Sequence, residues 1–153
     1  MKKIFLGGPI QYGFGEKGKF DENLKNIILQ TINFLEKSNC IVYSAHLVEN
    51  FEKNIDTKTY YNISKRDYNW MLNCDVYIAI LSSNNKNSII RSDGTFIEIG
   101  WAYALNKPII LIMDDGVLEN ASDLLKCMVD EKKIIVIQIN QLFSNILSLI
   151  KDI

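Results

Sequence analysis

Asp75-Val76-Tyr77-Ile78-Ala79-Ile80-Leu81, a polar run from Ser82 to Asp93, and then Gly94-Thr95-Phe96-Ile97-Glu98-Ile99-Gly100-Trp101: this stretch decides the fold. Its first part is apolar without alternation, the pattern of a strand buried on both faces. Its last part predicts a helix from Gly94 to Asn106, with Ile97, Trp101, Ala104 and Leu105 on one side. Strand, polar loop and helix in that order describe one half of a parallel βαβ unit. The acidic side chain of Glu98 falls about one turn into the helix. In such folds that is the carboxyl edge of the sheet, where ligands bind.

The same alternation extends in both directions. Lys3 to Gly8 reads as a buried strand ending in glycines, and Gln11 to Lys19 as a flexible loop with three glycines. Asp21 is placed to cap a helix over residues 22–37, with Leu24, Ile27, Ile28, Thr31, Phe34 and Leu35 at three-and-four spacing. Cys40 to Tyr43 is a short strand, and residues 44–58 are polar and irregular. Tyr60 to Asn73 is predicted as a helix. Strands follow at Lys107 to Met113 and Lys133 to Ile137, with helices at Ser122 to Val129 and Gln141 to Lys151. Five strands alternating with helices predict an α/β, flavodoxin-like doubly wound parallel sheet, order 2-1-3-4-5, with helices on both faces. The ligand crevice should lie near strands 1 and 3, where the loops 9–20 and 82–94 are long and polar.

The length, 153 residues, suits a single domain spanning 1–153 that buries a real core. A hydrophobic content of 48% marks a globular chain, and a net charge of −1 gives no electrostatic footprint for nucleic acid. No apolar run is long enough for a membrane span. Met1 to Pro9 is too brief in its apolar part for a signal peptide and reads as a strand, so the chain is expected to be cytoplasmic. Cys40, Cys74 and Cys127 are far apart and sit in apolar patterns, which predicts buried, reduced thiols. No Cys-x-x-Cys or histidine cluster suggests a metal, and His46 is the only histidine.

On spacing alone, Thr95-x-x-Glu98 fits a capping box. Two features favour a working carboxylate: the loop before it is richer in Ser92, Asp93 and Gly94 than a cap needs, and a second acid, Asp67, lies on the helix feeding the third strand. Two carboxylates converging on one crevice can divide the roles of nucleophile and proton donor, as glycoside-cleaving sites do. Gly7-Gly8-Pro9 either lets a ligand approach the backbone or simply ends a strand tightly. It matches neither phosphate-loop nor dinucleotide fingerprints. His46 either lines the site or packs and caps a turn. Lys65-Arg66 reads as a solvated helix face, and Trp70 and Trp101 as core.

Three motifs resemble the nucleoside 2-deoxyribosyltransferase family, which includes nucleotide 5′-monophosphate N-glycosidases. They are Ile4-Phe5-Leu6-Gly7-Gly8-Pro9-Ile10, Arg66-Asp67-Tyr68-Asn69-Trp70-Met71-Leu72-Asn73-Cys74-Asp75, and Gly94 through Pro108. The likeness covers roughly residues 3–138. It implies that Glu98 is the nucleophile forming a covalent sugar–enzyme intermediate, and that Asp67 helps the base leave. Ser92 stands where members that bind free nucleosides carry an aspartate for the 5′-hydroxyl. A serine there can donate to a phosphate that an aspartate would repel. Phe5 stands where deoxyribose-specific members carry a tyrosine whose hydroxyl bonds the nucleophile, which leaves room for a 2′-hydroxyl.

The resemblance therefore implies an N-glycosidase acting on a pyrimidine nucleoside 5′-monophosphate, CMP or 5-hydroxymethyl-CMP, as in antimetabolite biosynthesis. It implies no cofactor and no metal. Gly8, Pro9 and Ile10, with His46 and Gly94, are the remaining substrate-binding candidates on the chain's own side of the pocket. A homodimer is implied, in which the partner chain completes the pocket near Lys126 and Met128. Alternative readings are a nucleoside 2-deoxyribosyltransferase, a 2′-deoxynucleoside 5′-monophosphate N-hydrolase, or a nucleotide sensor without catalysis.

Overall fold

β1 (Lys3–Gly7), β2 (Ile41–Tyr43), β3 (Val76–Leu81), β4 (Ile109–Met113) and β5 (Ile134–Gln138) form one parallel sheet in the order β2-β1-β3-β4-β5. This is the flavodoxin-like order expected from the alternation of elements. The computed structural model describes residues 1–10, 13, 19–51, 57–83, 89–90 and 92–152. Most of the glycine-containing loop 11–19 and part of the loop after β3 lie outside the described residues.

The helices are α1 (Glu22–Lys37), α2 (Ala45–Val48), α3 (Thr57–Asn73), α4 (Asp93–Ala104), α5 (Asp123–Asp130) and α6 (Leu142–Asp152). α1 forms where its apolar periodicity predicted, and Asp21 Oδ1 accepts from Leu24 N at 2.7 Å as its cap. α2 interrupts a segment expected to be irregular; it is too short for periodicity to reveal. α3 begins at Thr57, before the expected Tyr60. Asn39 and Asn106 follow α1 and α4 in the left-handed region (φ 64° and 52°), which asparagine tolerates better than most residues.

Strand side chains alternate between two cores. Ile4, Leu6, Val76, Ile78, Ile80, Ile110 and Ile112 face α1 and α6. Phe5, Tyr77, Ala79, Leu81, Ile109, Leu111 and Met113 face α3, α4 and α5. Burial on both faces explains the unbroken apolar runs. The chain reverses winding at β1, which lies between β2 and β3, so a topological switch point opens at the carboxyl ends of β1 and β3. Phe5 pairs with Tyr77 across those two strands, and Gly7 with Ala79. Both rings therefore project on the α4 side. Among the described residues, no helix is long and apolar enough to cross a membrane.

Candidate active site

Ser92, not Thr95, occupies the N-cap position of α4, and its hydroxyl is hydrogen-bonded to that of Thr95 and not to a helix N–H. Glu98 therefore lies deeper in the helix than a capping box requires, and its carboxylate is used elsewhere. Tyr77 donates its hydroxyl to Glu98 Oε2 at 2.6 Å. Gly7 makes room for the pair, because a Cβ there would collide with both Glu98 Oε2 and the Tyr77 hydroxyl. The glycine ending β1 is thus required by a close approach. Phe5 is fully buried, its ring edge-on to Tyr77 at 5.3 Å and to Trp70 at 5.7 Å, so a tyrosine hydroxyl does reach Glu98 here, from β3 and not from position 5.

Arg66 is not the solvated residue its sequence context suggested. Its Nε donates to Asp67 Oδ1 at 2.8 Å and its Nη2 to Glu49 Oε1 at 2.7 Å. The guanidinium lies 4.8 Å from the centre of the Trp70 ring, and Trp70 stacks in turn on Tyr43. Lys65 is exposed as expected. Trp70 is partly buried and packs against the core beneath α3 to α5, as expected, while its ring also meets Arg66. Trp101, also partly buried, packs edge-on against Tyr68.

Burial shapes the electrostatics. Glu98 is half-buried, and desolvation pushes its pKa from 4.5 up to about 8. The Tyr77 hydrogen bond and the Arg66 charge oppose that rise, while the charges of Asp67 and Glu49 add to it. Desolvation also raises Asp67, against the pull of Arg66. The Tyr77 phenol is raised well above its ordinary value by complete burial and by Glu98. Glu98 and Asp67 therefore sense each other across one patch, with Arg66 and Glu49 as the surrounding charges.

His46 is buried, and its Nε2 lies 3.2 Å from the Pro9 carbonyl while Nδ1 lies 3.3 Å from Ser44 Oγ. A carbonyl only accepts, so Nε2 carries the proton and the serine donates to Nδ1. Burial lowers this imidazole to about 4, so it stays neutral. Its ring stands directly behind Gly8. Ile10 follows, half-buried, and its carbonyl accepts from Gly13 N. Gly94 lies exposed in the first turn of α4.

Lys126 and Met128 lie apart from Glu98 within the chain. Met128 lines an apolar groove of about 390 Å³ between α4 and α5, with Phe96, Ile99, Tyr103 and Leu124. At 100° per residue Phe96 and Tyr103 point nearly opposite to Glu98. Lys126 is on the same short helix, 3.6 Å from Asp123. Of the cysteines, Cys74 is buried, Cys40 partly so, and Cys127 exposed, against the expectation that all three are internal.

Sequence reasoning missed Tyr77, Glu49 and the role of Arg66. Tyr77 did carry a signal: a lone hydroxyl inside an otherwise apolar buried strand needs a partner.

The sequence matches the nucleoside 2-deoxyribosyltransferase family over residues 4–136. No curated protein sequence matches it significantly. Among solved structures, the Clostridium botulinum CMP N-glycosidase BcmB is 23% identical with a TM-score of 0.64, covering 95% of this chain and 98% of that one. BlsM, solved in solution, is 24% identical with a TM-score of 0.73, covering 95% and 86%. The 2-deoxyribosyltransferase of Bacillus psychrosaccharolyticus is 23% identical with a TM-score of 0.53, covering 80% and 78%. At these identities the structural likeness establishes the fold.

Proposed function

We infer the activity from one premise: this chain belongs to the nucleoside 2-deoxyribosyltransferase family. We propose that it hydrolyses the N-glycosidic bond of a pyrimidine nucleoside 5′-monophosphate, CMP or 5-hydroxymethyl-CMP, to free base and ribose 5-phosphate. The observation that carries this reading is the Glu98 carboxylate, packed against Gly7 at the carboxyl ends of β1 and β3 and held by Tyr77. The similarity to a CMP N-glycosidase supports the choice of substrate class.

In the first step Glu98 attacks C1′. The C1′–N bond breaks, its electron pair leaves with the base, and the base takes a proton from Asp67. In the second step water attacks C1′, Glu98 leaves as a carboxylate, and the proton of the water returns to Asp67. The buried carboxylate also stabilises the oxocarbenium-like transition state. Ser92 and the backbone around Gly8, Pro9 and Ile10 face the phosphate. His46 acts through Pro9, fixing that turn. Gly94 leaves the entrance to α4 open.

The active form is a homodimer. Phe96, Ile97, Tyr103 and Leu124 expose apolar surface around α4 and α5, and Lys126 and Met128 serve the partner's pocket. The deciding experiment is a base-release assay on CMP, dCMP and cytidine. CMP should be turned over well ahead of cytidine; equal rates would remove the role of the phosphate. Exchange of bases between nucleosides, rather than release, would identify a transferase instead.

A further inference from the structure

We propose that Tyr77 is a positioning residue for Glu98, anchoring Oε2 so that Oε1 is the attacking oxygen and favouring the ionised carboxylate. This rests on the reading of Glu98 as the nucleophile. Three observations support it. The hydroxyl lies 2.6 Å from Oε2. The Tyr77 ring is fully buried and braced by Phe5, its register partner on β1, so the phenol has no freedom to swing away. Gly7 leaves the hydroxyl and the carboxylate space that a side chain at that position would take.

A buried tyrosine needs only some acceptor, and a backbone carbonyl would serve. Here it is spent on a carboxylate at the switch point of the sheet. The consequence concerns protons. Glu98 and Asp67 interact, with Arg66 and Glu49 around them, and between the two titrations the pair holds a single proton. Catalysis needs that proton on Asp67, whereas desolvation favours it on Glu98. A donor on Oε2 stabilises the anion and moves the balance toward the productive arrangement.

The test is Tyr77→Phe, which keeps the ring and removes the donor. The kcat/KM profile of the wild type should be bell-shaped, its alkaline limb belonging to the pair. In the variant that limb should move up by about one pH unit, and plateau kcat should fall roughly 10- to 100-fold with KM little changed. Site-specific 3-fluorotyrosine at position 77, a stronger donor, should move the limb down; it keeps the fold even if the phenylalanine variant loses it. Carbon-13 titration of the Glu98 carboxyl reads the same shift without any turnover. If wild type and variants all fail to release base, the proposed function fails, yet the carboxyl titration still judges Tyr77. A variant that loses thermal stability while both limb and carboxyl titration stay put would overturn the proposal and leave Tyr77 a packing residue.

Discussion

Glu98 meets neutral pH with a proton that its proposed chemistry must first lose. Its pKa in the folded chain, about 8, lies above the 4.5 of an unperturbed glutamate, so the native state binds more protons than the unfolded state between those values. Its contribution to stability is fullest below the unfolded value and is lost as pH rises through about 8. Glu98→Gln removes the charge and should reverse that loss. Base release should fall on the order of 10³-fold or more. Melting temperatures of the variant and the wild type should diverge as pH rises from 4.5 to about 8 and stay parallel above that, the variant gaining roughly 2–4 °C at the alkaline end. At Ser92 the prediction concerns substrate. The Ser92 hydroxyl makes no capping bond to α4, and aspartate is itself well suited to an N-cap position, so α4 should survive Ser92→Asp, while the new charge opposes the phosphate. Relative kcat/KM for CMP over cytidine should drop by roughly 10-fold, read by the same base-release assay. Glu98 and Asp67 were legible as residues because local spacing placed them on helices beside the crevice. Tyr77, Glu49 and Arg66 were not, because their pairing depends on strand register and on how α2 meets α3, which no local pattern encodes.

The same division holds for the elements. α1 was legible to its ends because a capping aspartate and a strong apolar stripe mark it. α3 was located but begun late: it is helical from Thr57, three residues before the expected Tyr60. Its other end is secured from outside: Lys107 Nζ donates to the carbonyls of Leu72 and Cys74, at 2.9 and 2.8 Å. The ammonium satisfies terminal carbonyls and complements the negative end of the helix. Lys107→Met keeps the aliphatic stem and removes the donor. It should cost about 1–2 kcal/mol, seen as a lower urea midpoint at unchanged m-value. Because α3 also carries Asp67 and Arg66, the loss should register in kcat before it registers in KM.

At the scale of the molecule, the alternation of strands and helices was enough to give the sheet order, because parallel strands with short right-handed crossovers leave few arrangements. The separation of the two cores, one under α1 and α6 and one under α3 to α5, follows from the same pleat. What lies beyond a single chain had no such rule to reveal it. Leu124 is 74% exposed beside the groove between α4 and α5, and Leu124→Glu should split the proposed dimer, read by sedimentation, while leaving the monomer folded. α4 carries Glu98 on one side and the groove-facing Phe96 and Tyr103 on nearly the opposite one. If a second copy seats there, the stiffness of the helix holding the acid is borrowed from a neighbour. Turnover per molecule should then decline as the protein is diluted past its association constant, making abundance itself a throttle on base release.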